Sequence, residues 1–131
     1  MSHPKRRGDW AELQFMAKAA KLGLRISKPW GDCRYDIAIE TAGHFLRIQI
    51  KSTTQRISRG CYVCGVKPNS ASTPYQRGDF DFLAAYVIAE DVGYIIPAKL
   101  VVHGKRGGIR LYPSDPASKY APYKEAWHLL R

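Results

Sequence analysis

Two alternating runs separated by a four-residue break constrain this chain more than anything else in it. Tyr35-Asp36-Ile37-Ala38-Ile39-Glu40 and Phe45-Leu46-Arg47-Ile48-Gln49-Ile50-Lys51 flank Thr41-Ala42-Gly43-His44, the pattern of a β-hairpin. Ile37 and Ile39 then share a face with Leu46, Ile48 and Ile50. A slip of one residue would turn one strand's whole apolar set into water, so register is fixed: with the turn centred on Ala42-Gly43, Ile39 lies opposite Leu46 and Ile37 opposite Ile48. The same register puts Asp36 across from Gln49. Directly opposed Cβ atoms lie about 4.5 to 5.5 Å apart and diagonal ones about 7 to 8 Å, so Asp36, Gln49 and Lys51 converge on the polar side of the hairpin. One ion and one phosphate fit that spacing.

Upstream, Asp9 can serve as an N-cap with Glu12 at the third helical position, a capping box that predicts a helix beginning there. Leu13, Met16, Ala17 and Ala20 supply its apolar stripe, widened by Phe15, Ala19 and Leu22, and Gly23 its stop. Leu24 to Ser27 reads as a first strand and Lys28 to Asp32 as a turn. Ser52 to Gly78 is loop-rich, with a short strand near Cys61 to Val66. Phe82 to Ala89 and Tyr94 to Pro97 are read as a central pair of strands, Gly104 to Gly108 as a basic turn, and Ile109 to Tyr112 as a last strand. Pro122 to Leu130 is expected to form a C-terminal helix burying Tyr123, Trp127 and Leu130. At 131 residues the chain is expected to be a single domain spanning 1–131, with residues 1–7 a basic flexible arm.

Lys and Arg number 21 against 11 Asp and Glu, a formal charge of +10, so the protein's field attracts polyanions and nucleic acid is the first partner to consider. Lys5, Arg6, Arg7, Arg34, Arg56, Arg59, Lys67 and Arg77 are the candidate contacts to a phosphate backbone, although solvated charge on loops explains them equally well. A membrane partner is not expected, since no apolar run approaches the ~18 residues needed to span and no pure amphipathic basic helix appears. The N-terminal charges have no apolar segment behind them, which predicts a cytoplasmic protein. Three cysteines do not make a disulfide framework, and Cys61 and Cys64 are read as structural thiols rather than half a zinc site. His3, His44, His103 and His128 lack metal-binding spacing. Asp79 and Asp81 flank an apolar strand and are read as structural, and Glu40 as one half of a surface ion pair.

Phosphodiester hydrolysis needs a cation to neutralise charge growing on the phosphate and to acidify a water, and a group that orients that water. Asp36 offers an anionic oxygen, and Mg²⁺ is commonly held by one or two carboxylates with waters and substrate completing an octahedron. The side-chain oxygen of Gln49 and the carbonyl of Ile50 can complete the protein's share, and Lys51 lies on the same face. Glu12 has two readings, support for that site or helix capping alone.

Glu12, then Asp36, then Gln49-Ile50-Lys51 resembles the PD-(D/E)XK nuclease superfamily. Gly8-Asp9-Trp10-Ala11-Glu12, Arg34-Tyr35-Asp36-Ile37, Ile48-Gln49-Ile50-Lys51-Ser52 and Asp81-Phe82 leading to Tyr94-Ile95-Ile96-Pro97-Ala98 are similar to small stand-alone bacterial members of the group I intron homing type, and distantly to archaeal Holliday-junction resolvases. Gln49 stands where the commoner pattern has an acid, and Tyr35 where it has Pro. The resemblance implies an α/β, restriction-endonuclease-like core: a mixed central sheet flanked by an N-terminal and a C-terminal helix. It further implies Mg²⁺-dependent cleavage of DNA, with Mn²⁺ as a substitute, by a homo-oligomer, dimer or tetramer. Glu12, Asp36, Gln49 and Lys51 are then the catalytic set, with Asp36, Gln49, the Ile50 carbonyl and Glu12, directly or through water, at the metal. A DNA-binding module of the same fold without catalysis and an RNA-processing nuclease are the alternatives.

Overall fold

The computed structural model describes residues 3–66, 75–76, 78–102 and 108–131. Lys67, Arg77, His103 and most of the expected basic turn at Gly104 to Gly108 lie outside them.

Among the described residues one α-helix and two sheets are stacked in three layers. Helix α1 (Pro4–Lys21) starts earlier than its sequence suggests: Pro4 occupies the first turn, His3 is the N-cap, and Asp9 is interior. The basic residues Lys5, Arg6 and Arg7 therefore belong to the helix and not to a flexible arm. The buried face overlaps the predicted stripe at Phe15 and Ala19 and departs from it at Leu13 and Leu22. Ala11, Phe15 and Ala19, spaced by four, face the sheet, whereas Leu13 is 58% exposed and Leu22 42%. Small residues at 11 and 19 let the helix lie close on the sheet; Phe15 is its large fully buried anchor, flanked by the half-buried Trp10 and Met16.

The strands are β1 (Arg25–Ser27), β2 (Ile37–Thr41), β3 (His44–Thr53), β4 (Arg56–Ser58), β5 (Cys61–Gly65), β6 (Phe82–Val87), β7 (Val92–Pro97) and β8 (Gly108–Leu111). The main sheet has the order β1-β2-β3-β6-β7, parallel only between β3 and β6 and antiparallel elsewhere. It is the mixed central sheet expected of this sequence, although its middle strand is β3 and the apolar β7 is an edge. β2 pairs with β3 in the register set by the isoleucines, Ile37 opposite Ile48 and Ile39 opposite Leu46. Ala42 and Gly43 both take positive φ, 45° and 82°, the double left-handed turn that matches strand twist.

The helix covers one face of this sheet through Ile37, Ile39, Ile48, Ile50, Ala84, Tyr86 and Ile95. The second sheet, β4-β5-β8, covers the other, where Tyr62, Cys64, Ile109 and Leu111 meet Leu83, Ala85, Val87 and Ile96. β6 is thus buried on both sides, which is why it reads as an unbroken apolar run. Cys61 and Cys64 are buried free thiols, and among the described residues no cluster of three or more His, Cys, Asp or Glu is poised to hold a metal.

The predicted C-terminal helix is not formed. Ala121–Tyr123 and Trp127–Leu130 are separate 3₁₀ turns, interrupted at Glu125 by a positive φ of 49°. Reaching the sheet edge breaks the helix. Tyr94 and Lys124 form a bridge, the Glu125 N–H donates to the Gly93 carbonyl at 2.7 Å, and the Gly93 N–H donates to Glu125 Oε2 at 2.7 Å. Tyr123, Trp127 and Leu130 still pack inward. Among the described residues no helix is long and apolar enough to cross a membrane.

Candidate active site

β3 is twice as long as β2, and the difference makes the site. Because β2 begins only at Ile37, the strand edge from Gln49 onward pairs with no strand on that side among the described residues. Asp36, the residue before β2, fills the first of the vacancy: its N–H donates to the Ile48 carbonyl at 2.9 Å, and its Oδ2 accepts the Ile50 N–H at 2.8 Å and Gln49 Nε2 at 3.0 Å. A side chain here replaces a missing ladder bond. Beyond it lies an open cleft of about 640 Å³, lined by Asp36, Gln49, Ile50, Lys51 and Ser52 on the sheet side and by Pro4, Lys5, Arg7, Gly8, Asp9 and Glu12 on the helix side.

The four residues expected to act together therefore share one cleft. Glu12 sits two turns into α1, so it is not a capping-box glutamate. Its ionic partner is Lys28, at the start of the β1–β2 loop. Burial pushes the Asp36 carboxyl above its ordinary range, opposed by the Ile50 N–H; the nearby Glu12 raises it further, while Lys51 and Lys28 pull it down. Two carboxylates facing each other's field in a half-buried cleft are better accommodated with a cation between them than without one. Gln49, only 6% exposed, turns its amide nitrogen to Asp36 and so keeps its oxygen for another partner. The donor set fits a hard divalent ion.

The polar side of the hairpin is not solvent-facing as its sequence suggests. Gln49 and Lys51 share a face with Leu83 and Ala85, their partners on β6, and that face is roofed by the second sheet and Tyr75. Burial lowers the Lys51 ammonium's pKa, against the opposing pull of Asp36. The Nζ stands 5.6 Å from the Tyr75 ring centroid, within cation–π range. The Arg34 guanidinium lies equally far, 5.6 Å, from the same ring, and 3.9 Å from Asp79. Tyr75, itself packed edge-on against Phe80, thus holds both cations beside Asp36. Neither Tyr75 nor Lys28 carries a local sequence signal: one follows a Ser- and Thr-rich run of sequence and the other opens a turn.

Of the other expected contacts, Lys5 and Arg7 line the cleft, whereas Arg56, on β4, and Arg59, in the β4–β5 turn, are exposed and are not among its lining residues. Asp81 is structural: its carboxylate accepts the Arg47 N–H at 2.7 Å and Arg47 Nη2 at 3.2 Å, tying β3 to the start of β6. Glu40 pairs with Arg25 at 3.3 Å on the surface.

A family model described as PD-(D/E)XK endonuclease matches residues 2–130. The chain is also similar to the solved structure of I-Ssp6803I, a bacterial homing endonuclease, at 31% identity and a TM-score of 0.81, covering 96% of this chain and 91% of that one. Among curated proteins none matches by sequence.

Proposed function

The chain belongs to the PD-(D/E)XK endonuclease family, and from that premise we propose that it is a divalent-metal-dependent DNA endonuclease of the homing type, working at the Asp36 cleft. The observation that carries this reading is the meeting of Asp36, Gln49, Lys51 and Glu12 around one opening, with Asp36 hydrogen-bonded to the strand that bears the other two. Asp36, Gln49 Oε1 and the Ile50 carbonyl would hold Mg²⁺, or Mn²⁺ in its place, with Glu12 joining directly or through a water. In a strand the N–H and C=O of one residue point to the same side. Ile50 gives its N–H to Asp36, so its carbonyl leaves the strand on the cleft side. The ion's contribution is to neutralise charge on the phosphate and to acidify a water.

Lys51 supplies what the carboxylates cannot. Its ammonium, held by Tyr75 and facing Asp36, orients the attacking water and donates to a phosphate oxygen as charge builds there. Lys5 and Arg7 on the helix side take the DNA backbone across the cleft. One such site breaks one strand, so a double-strand cut needs at least two copies. The likeness to a homing endonuclease over 96% of the chain supports the homing reading over a junction-specific one.

Plasmid DNA incubated with Mg²⁺ or Mn²⁺ should be cut by wild type and left intact by Asp36→Ala and Lys51→Ala. Equal activity in all three rejects the assignment. Calorimetric titration with Mn²⁺ should show binding to wild type and not to Asp36→Ala, and structured RNA run alongside duplex DNA should remain uncut.

A further inference from the structure

The loop joining β1 to β2 is anchored at both ends in the cleft just described: Lys28 pairs with Glu12 at one end, and Asp36 lies at the other. Between them stands Trp30, 99% exposed. Among the described residues no other large apolar side chain is more than 60% exposed. The chain's other two tryptophans are packed, Trp10 against Tyr86 at 5.5 Å between centroids and Trp127 against Phe15 at 5.1 Å. Trp30 sits only two residues from Lys28, a span of about 7 Å at most. Pro29 before it has a fixed φ, and Gly31 after it adopts a φ of +79°, so the backbone on either side of the indole is conformationally restricted. Nearer Asp36, Arg34 is braced by Tyr75 and Asp79.

Lone exposed apolar groups are ordinary on protein surfaces. What sets this one apart is its neighbourhood: a fully bare indole two residues from Lys28, the ionic partner of the cleft's Glu12, on a protein of charge +10, with Lys5 and Arg7 lining the same cleft. Positive side chains take phosphates, and an indole's flat face takes a nucleobase. We propose that Trp30 stacks on a base of the cleaved strand beside the phosphate held at Asp36, fixing that strand in the cleft by unstacking or wedging a base step. The inference rests on the nuclease reading above but concerns substrate contact and not chemistry.

Binding of fluorescently labelled heterogeneous duplex DNA, measured in EDTA so that metal-dependent cleavage does not run, tests it. Trp30→Ala should weaken affinity by roughly 5- to 150-fold, the range for one base–aromatic stack, and Trp30→Phe should restore most of it. The slope of log affinity against log salt should not change, since no phosphate contact is lost. Intrinsic fluorescence gives an independent readout: the acrylamide-quenchable emission missing from Trp30→Phe should be shielded when wild type binds DNA. Wild-type affinity in Trp30→Ala, or unshielded Trp30 emission in the complex, overturns the stacking while leaving the endonuclease reading intact. An altered sedimentation coefficient in Trp30→Ala, matching its loss of affinity, would make Trp30 a contact between copies and also overturn it. Failure of wild type to bind DNA at all would remove both.

Discussion

Replacing Asp36 separates stability from activity in a way that can be worked through. Its Oδ2 accepts two hydrogen bonds, from Ile50 N–H at 2.8 Å and Gln49 Nε2 at 3.0 Å, and its charge is held in a half-buried cleft. Asn preserves an acceptor oxygen and removes the charge. Ala removes both, stranding two donors of which each costs about 1 to 3 kcal/mol when left without a partner. Because the open cleft admits water to those donors, Asp36→Ala should be less stable than Asp36→Asn by about 2 to 4 kcal/mol, below the roughly 2 to 6 of two fully buried ones. For 131 residues the unfolding entropy makes 1 kcal/mol worth about 3 to 4 °C, so the two melting temperatures should differ by roughly 7 to 15 °C. The pH dependence follows from the raised carboxyl. Below the ordinary carboxylate range folded and unfolded chains both carry the proton; as pH rises the unfolded chain gives it up first, and stability is lost until the folded carboxyl ionises as well. At neutral pH wild type should thus be less stable than Asp36→Asn, and the gap should close as pH is lowered through the carboxylate range. Urea unfolding of the three proteins at several pH values measures this, with plasmid cleavage run in parallel; both variants should be inactive. A wild type more stable than Asp36→Asn at neutral pH would refute the argument, because the site would then favour the ion without metal.

Three further outcomes follow from the same geometry. Lys51→Met should lose cleavage by orders of magnitude without losing stability at neutral pH; because burial lowers the lysine's folded pKa, the urea midpoint of wild type should gain on the variant as pH climbs toward the ordinary lysine range. Phe15→Ala should cost about 3 to 5 kcal/mol and Leu13→Ala less than about 0.5, a contrast read by thermal melts that fails if the helix buries Leu13 together with Phe15. Asp81→Ala should cost about 1 to 2 kcal/mol by releasing Arg47 from the β3–β6 junction, the value being held down by partial exposure of the pair; an unchanged urea midpoint would show the tie to be idle.

Much of the site was legible because strands keep strict arithmetic. Five apolar residues on two alternating runs left one register open, and that register alone put Asp36 beside Gln49. Helices are more forgiving. The predicted stripe caught Phe15, Ala19 and the half-buried Met16 but also took in Leu13, Ala17 and Ala20, which are exposed, and left out Ala11; local pattern cannot fix that rotation, since alanines look neutral until a sheet is laid against them. The capping box failed for a related reason: Asp9 and Glu12 suit a helix start, but Pro4 suits one better and comes first. The burial of Gln49 and Lys51 was illegible because their roof is complete only when Tyr75 and the distant β8 join β4 and β5. The C-terminal helix was lost to a long-range contact, the bridge from Lys124 to Tyr94, that no propensity encodes.

That bridge has a consequence beyond the site. A free sheet edge is a template on which another chain can add a strand, and such edges nucleate aggregation unless blocked. At one end of the main sheet β1 is only three residues long; at the other, the tail spends its backbone and the Glu125 carboxylate on Gly93, where a stranger's strand would begin. The turns after Tyr120 thus do the work of a hem on cloth, and a chain trimmed before Lys124 would expose β7 as a sticky selvedge.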